Sequence, residues 1–107
     1  MKMCKVLETK RRALGLTQNQ LTKLAGVSDG TISNFELGKE VSMPVFNSIK
    51  WAIENEFNKL DRIEYMETML TMHMMQYAEI DDNHEKLMCL SYMNTYIGKM
   101  QLELLKD

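Results

Sequence analysis

The chain has 107 residues, five glycines, one proline and a formal net charge of −2. So few glycines and prolines, with no convincing alternation of period two, argue against a β fold and predict an all-α protein. The longest stretch without a charged residue, Leu87 to Gly98, is too short to cross a bilayer, and charges interrupt any signal-like apolar run at the N-terminus, so we expect a cytoplasmic protein.

The first predicted helix runs from about Lys2 to Leu14, with Val6, Ala13 and Leu14 inward and Gly15 as its stop. A second helix should begin at Gln18, because Thr17 and Gln20 have the spacing of a capping box. Its predicted apolar face is Leu21, Leu24 and Ala25, and Gly26 ends it.

A third helix is predicted after Ser28, which is suited to cap it, and Gly38 ends it. Ile32 and Phe35 point inward. The outward face is small and polar and consists of Asp29, Gly30, Ser33 and Asn34. Such a face suits the DNA major groove, where Asn can bond adenine in bidentate fashion. A merely solvated helix face is the alternative for these four residues.

A fourth helix should start at Ser42, with Pro44 in its first turn and Phe46, Ile49 and Ile53 as its core stripe. Two longer helices follow. Asp61 and Glu64 predict a helix from Arg62 to about Glu79, and Asp82 and Glu85 predict another that extends to about Lys106. Joined by a short polar turn, they make a helical hairpin.

Each hairpin helix has an apolar stripe that is broader than one partner helix can cover. On the first helix the stripe comprises Ile63, Met66, Met69, Leu70, His73, Met74, Tyr77 and Ile80. On the second it comprises Leu87, Leu90, Met93, Ile97, Met100 and Leu104, widened by Cys89 and Tyr96. Surplus apolar surface of this kind predicts an interface, although the hairpin folding back on its own domain is an alternative.

Charge is divided unevenly along the chain. Residues 1–53 carry eight Lys and Arg against four acids, a net +4, whereas the remainder carries five against eleven, a net −6. This asymmetry is expected when a face that meets DNA phosphates is joined to a segment that avoids DNA.

The order of residues in the first half resembles the Cro/CI-type, or XRE-like, helix-turn-helix regulators, over about residues 5 to 56. The matching positions are Arg11, Leu14, Gly15, Leu16, Thr17, Gln18, Leu21, Ala25, Gly26, Val27, Ser28, Ile32, Ser33, Glu36, Gly38 and Lys39. The resemblance implies a lambda-repressor-like DNA-binding domain over residues 1–57, followed by a helical hairpin for dimerisation or interaction over residues 58–107.

The resemblance also implies roles for individual residues. Thr17, Gln18 and Lys39 would contact DNA phosphates, and Arg11 and Glu36 would form a structural ion pair. The base-reading positions are Asp29, Gly30, Ser33 and Asn34, of which Asn34 is the strongest candidate. Asp29 and Gly30 depart from the family, where the first position is often Gln or Arg, and Glu40 follows Lys39 where relatives commonly have basic or neutral residues.

The function that follows is a sequence-specific repressor that binds double-stranded DNA as a homodimer at a palindromic operator. The expected dimer interface comprises Met66, Met69, Leu70, Met74, Tyr77, Leu90, Met93, Ile97, Met100 and Leu104. The alternative is an interaction protein whose acidic, Met-rich hairpin binds an antagonist, a toxin or a sensor, which controls or replaces DNA binding.

Other signals are weaker. The methionines around His73 suggest Cu(I), but their spacing is that of an apolar stripe, which we favour. Cys4 and Cys89 lack the spacing of a zinc site, and His84 stands alone at a predicted helix start. Since no catalytic motif is present, we expect neither an enzyme nor a metal or other cofactor.

Overall fold

The computed structural model describes residues 2–106, and all regular structure in that range is α-helical. The order is α1 (Met3–Ala13), α2 (Gln18–Ala25), α3 (Thr31–Glu36), α4 (Met43–Asn58), α5 (Arg62–Glu79) and α6 (Asn83–Leu104). The chain divides into two compact units after Lys59, two residues beyond the predicted boundary, because α4 continues to Asn58. The predicted all-α fold, ending in a helical hairpin, is confirmed.

The N-terminal unit is built around one apolar core to which α1 to α4 all contribute. Its centre is nearly inaccessible to solvent and comprises Leu7, Leu21, Ile32, Phe35, Ile49, Ala52 and Ile53. The rings of Phe35 and Phe46 meet with centroids 6.0 Å apart, which ties α3 to α4. Burial of these side chains is the main stabilising contribution to the unit, since each fully enclosed Leu, Ile or Phe is worth about 1.5–3 kcal/mol.

The inward face of α1 differs from the prediction. Leu7 is its core residue and Leu14 packs against the core as predicted, whereas Val6 and Ala13 are half-buried. The inward face runs through Cys4, Leu7 and Arg11, at helical spacing. Because Arg11 is a buried cation, the pattern of apolar residues alone does not show this face.

On α2, the predicted inward residue Leu24 is instead exposed, while Thr22 is buried. The Thr22 hydroxyl donates a hydrogen bond to the carbonyl oxygen of Gln18 at 2.8 Å. With its polar group satisfied inside its own helix, Thr22 can be buried at little cost, so it occupies the inward side.

The C-terminal unit is an antiparallel hairpin of α5 and α6. Asp61 caps α5 in a full capping box with Glu64, as predicted, and Asp82 caps α6 by accepting from the Glu85 backbone N–H. Near the open end, Arg62 pairs with Glu103 at 3.3 Å. Within residues 2–106, no helix is long and apolar enough to cross a membrane.

His73 lies at the centre of the hairpin. Its ring stacks on those of Tyr92 and Tyr96, each with a centroid distance of 5.5 Å, and its carbonyl oxygen accepts a hydrogen bond from Cys89 Sγ at 3.2 Å. Burial disfavours the thiolate and raises the pKa of Cys89. These contacts give His73 a packing role between the two helices.

The buried positions of the hairpin only partly follow the predicted stripes. Met72, outside the predicted stripe, is buried, and Met74, inside it, is 58% exposed. On α6, which ends at Leu104 rather than near Lys106, the predicted stripe residues Leu87, Leu90, Ile97 and Leu104 are exposed. Two helices meet along one narrow strip, so the rest of a broad apolar face stays in solvent.

Candidate nucleic-acid interface

A reciprocal cap fixes the start of α2. The Thr17 hydroxyl accepts from the Gln20 backbone N–H at 3.0 Å, and the Gln20 side chain accepts from the Thr17 backbone N–H at 2.8 Å. Thr17 and Gln18 are both exposed. Because two backbone donors are already satisfied, the remaining N–H groups of the first turn are free to meet an anion, which the helix dipole also favours.

The end of α2 is defined by Gly26, whose φ of +66° lies in the left-handed region. The next backbone N–H, that of Val27, bonds back to the carbonyl oxygen of Thr22 at 3.2 Å. A left-handed residue followed by such a bond is a common helix termination, and here it turns the chain towards α3.

The third helix starts later than the sequence predicts. Gly30, not Ser28, is its N-cap, with φ at +83°, and α3 begins at Thr31. The backbone N–H of Thr31 bonds to the carbonyl oxygen of Ser28 at 3.1 Å, which closes a turn over Asp29 and Gly30. The expected helical placement of Asp29 and Gly30 is therefore wrong: a left-handed residue cannot continue a right-handed helix.

Arg11, Glu36 and Gln18 join three helices through one hydrogen-bonded network. Arg11 binds Glu36 in bidentate fashion, Nε to Oε2 at 2.7 Å and Nη2 to Oε1 at 3.1 Å. Its Nη1 also donates to the carbonyl oxygen of Leu16 at 2.7 Å. The Arg11 and Glu36 side chains are only 11% and 4% exposed. A paired, nearly buried guanidinium holds α1 and α3 at a fixed separation.

Gln18 enters this network from α2. Its Nε2 donates to Glu36 Oε1 at 2.8 Å, so the Gln18 side chain is held beside the C-terminal end of α3. One amide N–H of the side chain remains for a second acceptor. The network thus orients an exposed residue to which the family resemblance assigns a phosphate contact.

The outward side of α3 is polar and accessible. Asn34 is exposed, Ser33 is half-buried, and Asp29 and Gly30 are exposed in the preceding turn. Lys39 lies near Asn34, with its Nζ 3.4 Å from the Asn34 Oδ1. The predicted reading residues therefore lie on α3 and in the turn before its first residue, and the predicted loop cation lies beside Asn34 after its last.

Leu37 is a surface residue of this region that the sequence-based prediction missed. It is 74% exposed, although leucine is usually a core residue, and it follows Asn34 by three positions. Its exposure could have been predicted from the sequence, because Leu37 falls about 200° around the helix from the inward Phe35. An exposed leucine beside Asn34 is suited to contact a thymine methyl group.

Comparison with protein families gives one match. The family model described as Helix-turn-helix matches residues 7–49. The match begins at Leu7 and ends at Ile49, two core residues of the N-terminal unit, and contains both motif helices and the Arg11–Glu36 pair. The hairpin lies outside it. No curated protein and no solved structure matches the chain.

Proposed function

Residues 7–49 form an XRE-like helix-turn-helix domain, which is characteristic of DNA-binding transcription regulators, and from this premise we propose that the protein is a dimeric repressor. It binds a short palindromic operator in the cytoplasm. The observation that carries the proposal is that one side of α3 is buried in the core and the other side is polar and exposed. Ile32 and Phe35 anchor the helix in the core while Asn34 stays exposed.

Base reading centres on Asn34, whose amide can both donate to and accept from an adenine edge. Ser33 contributes a hydroxyl and Leu37 an apolar contact to a thymine methyl. Asp29 and Gly30 act from the turn: without a side chain, Gly30 lets the backbone approach the groove, and the Asp29 carboxylate stabilises the nearby helix start. This assignment concentrates specificity on a few positions.

Phosphate contacts flank the reading helix. Gln18 offers its second amide N–H and the helix start behind it, and Thr17 offers the proton of its hydroxyl. Lys39 supplies a full positive charge. Because these groups position the domain without reading sequence, they act on specific and non-specific DNA alike.

Dimerisation is proposed because a palindromic operator contains two half-sites. Two recognition helices spaced by about 34 Å read two half-sites on one face of DNA, and one domain alone reads only one half-site. We assign the dimer contacts to the hairpin. Among its candidate interface residues, Met74, Leu90, Ile97 and Leu104 are exposed and therefore accessible to a partner, whereas Met66, Met69, Leu70, Tyr77, Met93 and Met100 are half-buried.

A second candidate function is a regulator whose hairpin binds a different protein. It is favoured by the exposed methionines Met74 and Met88, since methionine side chains adapt to varied partners. Pull-down with the full-length protein separates the two: recovery of only the same chain supports the homodimer, and a stoichiometric second protein supports this alternative.

The test of the DNA assignment is selection of bound duplexes from a random pool at two salt concentrations. We expect enrichment of an inverted repeat with half-sites about 10 bp apart and a steep loss of binding at the higher salt concentration. Enrichment of a single unrepeated site would contradict the palindrome. No enrichment at either concentration would contradict sequence-specific binding itself.

A further inference from the structure

A continuous exposed seam runs the length of α6. Its residues follow the 3-4 spacing of a heptad repeat: Leu87, Leu90, Asn94, Ile97, Gln101 and Leu104. All six are exposed, although four are large and apolar. In a helix with this spacing the six side chains form one stripe about 27 Å long, which is the geometry of a coiled-coil contact.

This seam is not the side of α6 that packs on α5. The packed side contains Cys89, Met93, Tyr96 and Met100, and its contacts include the Cys89 hydrogen bond and the Tyr96 ring stack with His73. The two sides are separated by about 100° around the helix. The hairpin therefore packs one side of α6 on α5 and leaves the large apolar seam residues exposed, from 39% at Leu90 to 70% at Leu104.

No charged residue occupies a position of the seam. Between Leu87 and Leu104 the charged residues are Lys99 and Glu103, and neither occupies a seam position. Lys99 lies over the Tyr96 ring, and Glu103 pairs with Arg62 and Lys106. A helix that pairs with its own copy in parallel and in register brings each residue close to its equivalent, so like charges would repel there. The distribution fits self-pairing.

The two polar seam residues indicate the direction of pairing. In a parallel, in-register pair, Asn94 faces Asn94 of the other copy and Gln101 faces Gln101, so the amides hydrogen-bond to each other. In an antiparallel pair centred on the seam, Asn94 faces Ile97 and its amide is left against an apolar side chain. The small residues Ser91 and Gly98 flank the seam, and a Cβ added to Gly98 would meet nothing within 4 Å.

We propose that α6 pairs with α6 of a second copy of this chain as a parallel, in-register coiled coil, with Asn94 fixing the register. The proposal rests on the homodimer in the proposed function but not on DNA binding. In this arrangement both chains leave the pair at the same end, at Leu60, which lets two N-terminal units reach one stretch of DNA. Met66, Met69 and Leu70 of α5 then lie outside the central contact.

The direction of pairing is tested by cross-linking full-length variants with oxidised glutathione. We expect Leu104→Cys to form an intermolecular disulfide beyond the wild-type level that Cys4 and Cys89 set, because Leu104 faces its own copy only in the parallel pair. Leu102→Cys is the matched control: Leu102 is 64% exposed, against 70% for Leu104, but lies off the seam. A dimer in which only the double variant Leu87→Cys, Leu104→Cys cross-links would overturn the parallel register.

The surface itself is tested by sedimentation of Ile97→Glu with Leu102→Glu as control. Two facing charges should raise the dimer dissociation constant of Ile97→Glu at least about 30-fold while its helical circular dichroism is kept, and Leu102→Glu should stay a dimer. An Ile97→Glu dimer with an unchanged dissociation constant would contradict pairing through the seam but would still support a homodimer. A wild-type monomer at micromolar concentration overturns both, and duplex selection then judges DNA binding separately.

Discussion

Asn34 is the residue on which we propose that base recognition depends most, since it combines exposure with an amide that can pair with an adenine edge. Replacing Asn34 with Ala should weaken binding to the enriched site by about 1–3 kcal/mol and relax preference at one base position. Titration of the selected duplex and of its single-base variants measures both effects. Asn47→Ala, an exposed asparagine on α4, is the control and should change neither. Unchanged site preference in Asn34→Ala would remove Asn34 from the reading face.

Glu36 shows how a charged residue can act chiefly on stability. Glu36→Ala leaves the Arg11 guanidinium nearly buried without its carboxylate, so we expect the free energy of unfolding to fall by about 3 kcal/mol or more. Denaturant unfolding measures this loss. In the exposed Lys50–Glu54 pair, 3.9 Å apart, Glu54→Ala should cost less than about 1 kcal/mol. Equal losses in the two variants would show that the buried pair adds no special stability.

At the scale of the element, the start of α3 is the least expected feature. Gly30 has a φ of +83°, and a Cβ added there would meet nothing within 4 Å, so the cost of a side chain is one of backbone conformation. We expect Gly30→Ala to lower the free energy of unfolding by about 1 kcal/mol and Gly30→Asn to lower it less, since Asn tolerates this region. A more stable Gly30→Ala protein would place the start of the helix at Asp29.

The starts of α2 and α5 were predictable from neighbouring residues in the sequence, whereas the start of α3 was not. Thr17 with Gln20, and Asp61 with Glu64, form the predicted capping boxes, because both partners lie within one turn. Inward helix faces that contain a polar residue were not predictable from the sequence. The α1 face is hidden by Arg11, whose partner Glu36 lies 25 positions away, and the burial of Thr22 depends on a hydrogen bond within α2. The candidate site itself came from a resemblance that the family match confirms, whereas Leu37 was missed.

At the scale of the whole molecule, the two units differ in the sign of their net charge. Because the cation that we propose to contact phosphate lies in the first unit, Lys39→Ala should weaken all DNA sites alike and flatten the slope of log affinity against log salt by about one. The measurement is a binding titration at several salt concentrations. Lys99→Ala, in the hairpin, removes the same charge and should leave the slope unchanged. A slope equal to that of the wild type in both variants would contradict the phosphate contact of Lys39.

The third helix is held by few of its own side chains. Ile32 and Phe35 enter the core and Glu36 enters the buried ion pair, which leaves Ser33, Asn34 and Leu37 outside the framework. Exchanging these three residues therefore costs the domain little stability, since surface substitutions typically change it by less than about 0.5 kcal/mol. Under the proposed function, the domain is thus a scaffold on which operator preference can be changed, by natural divergence or by library selection, without redesign of its core.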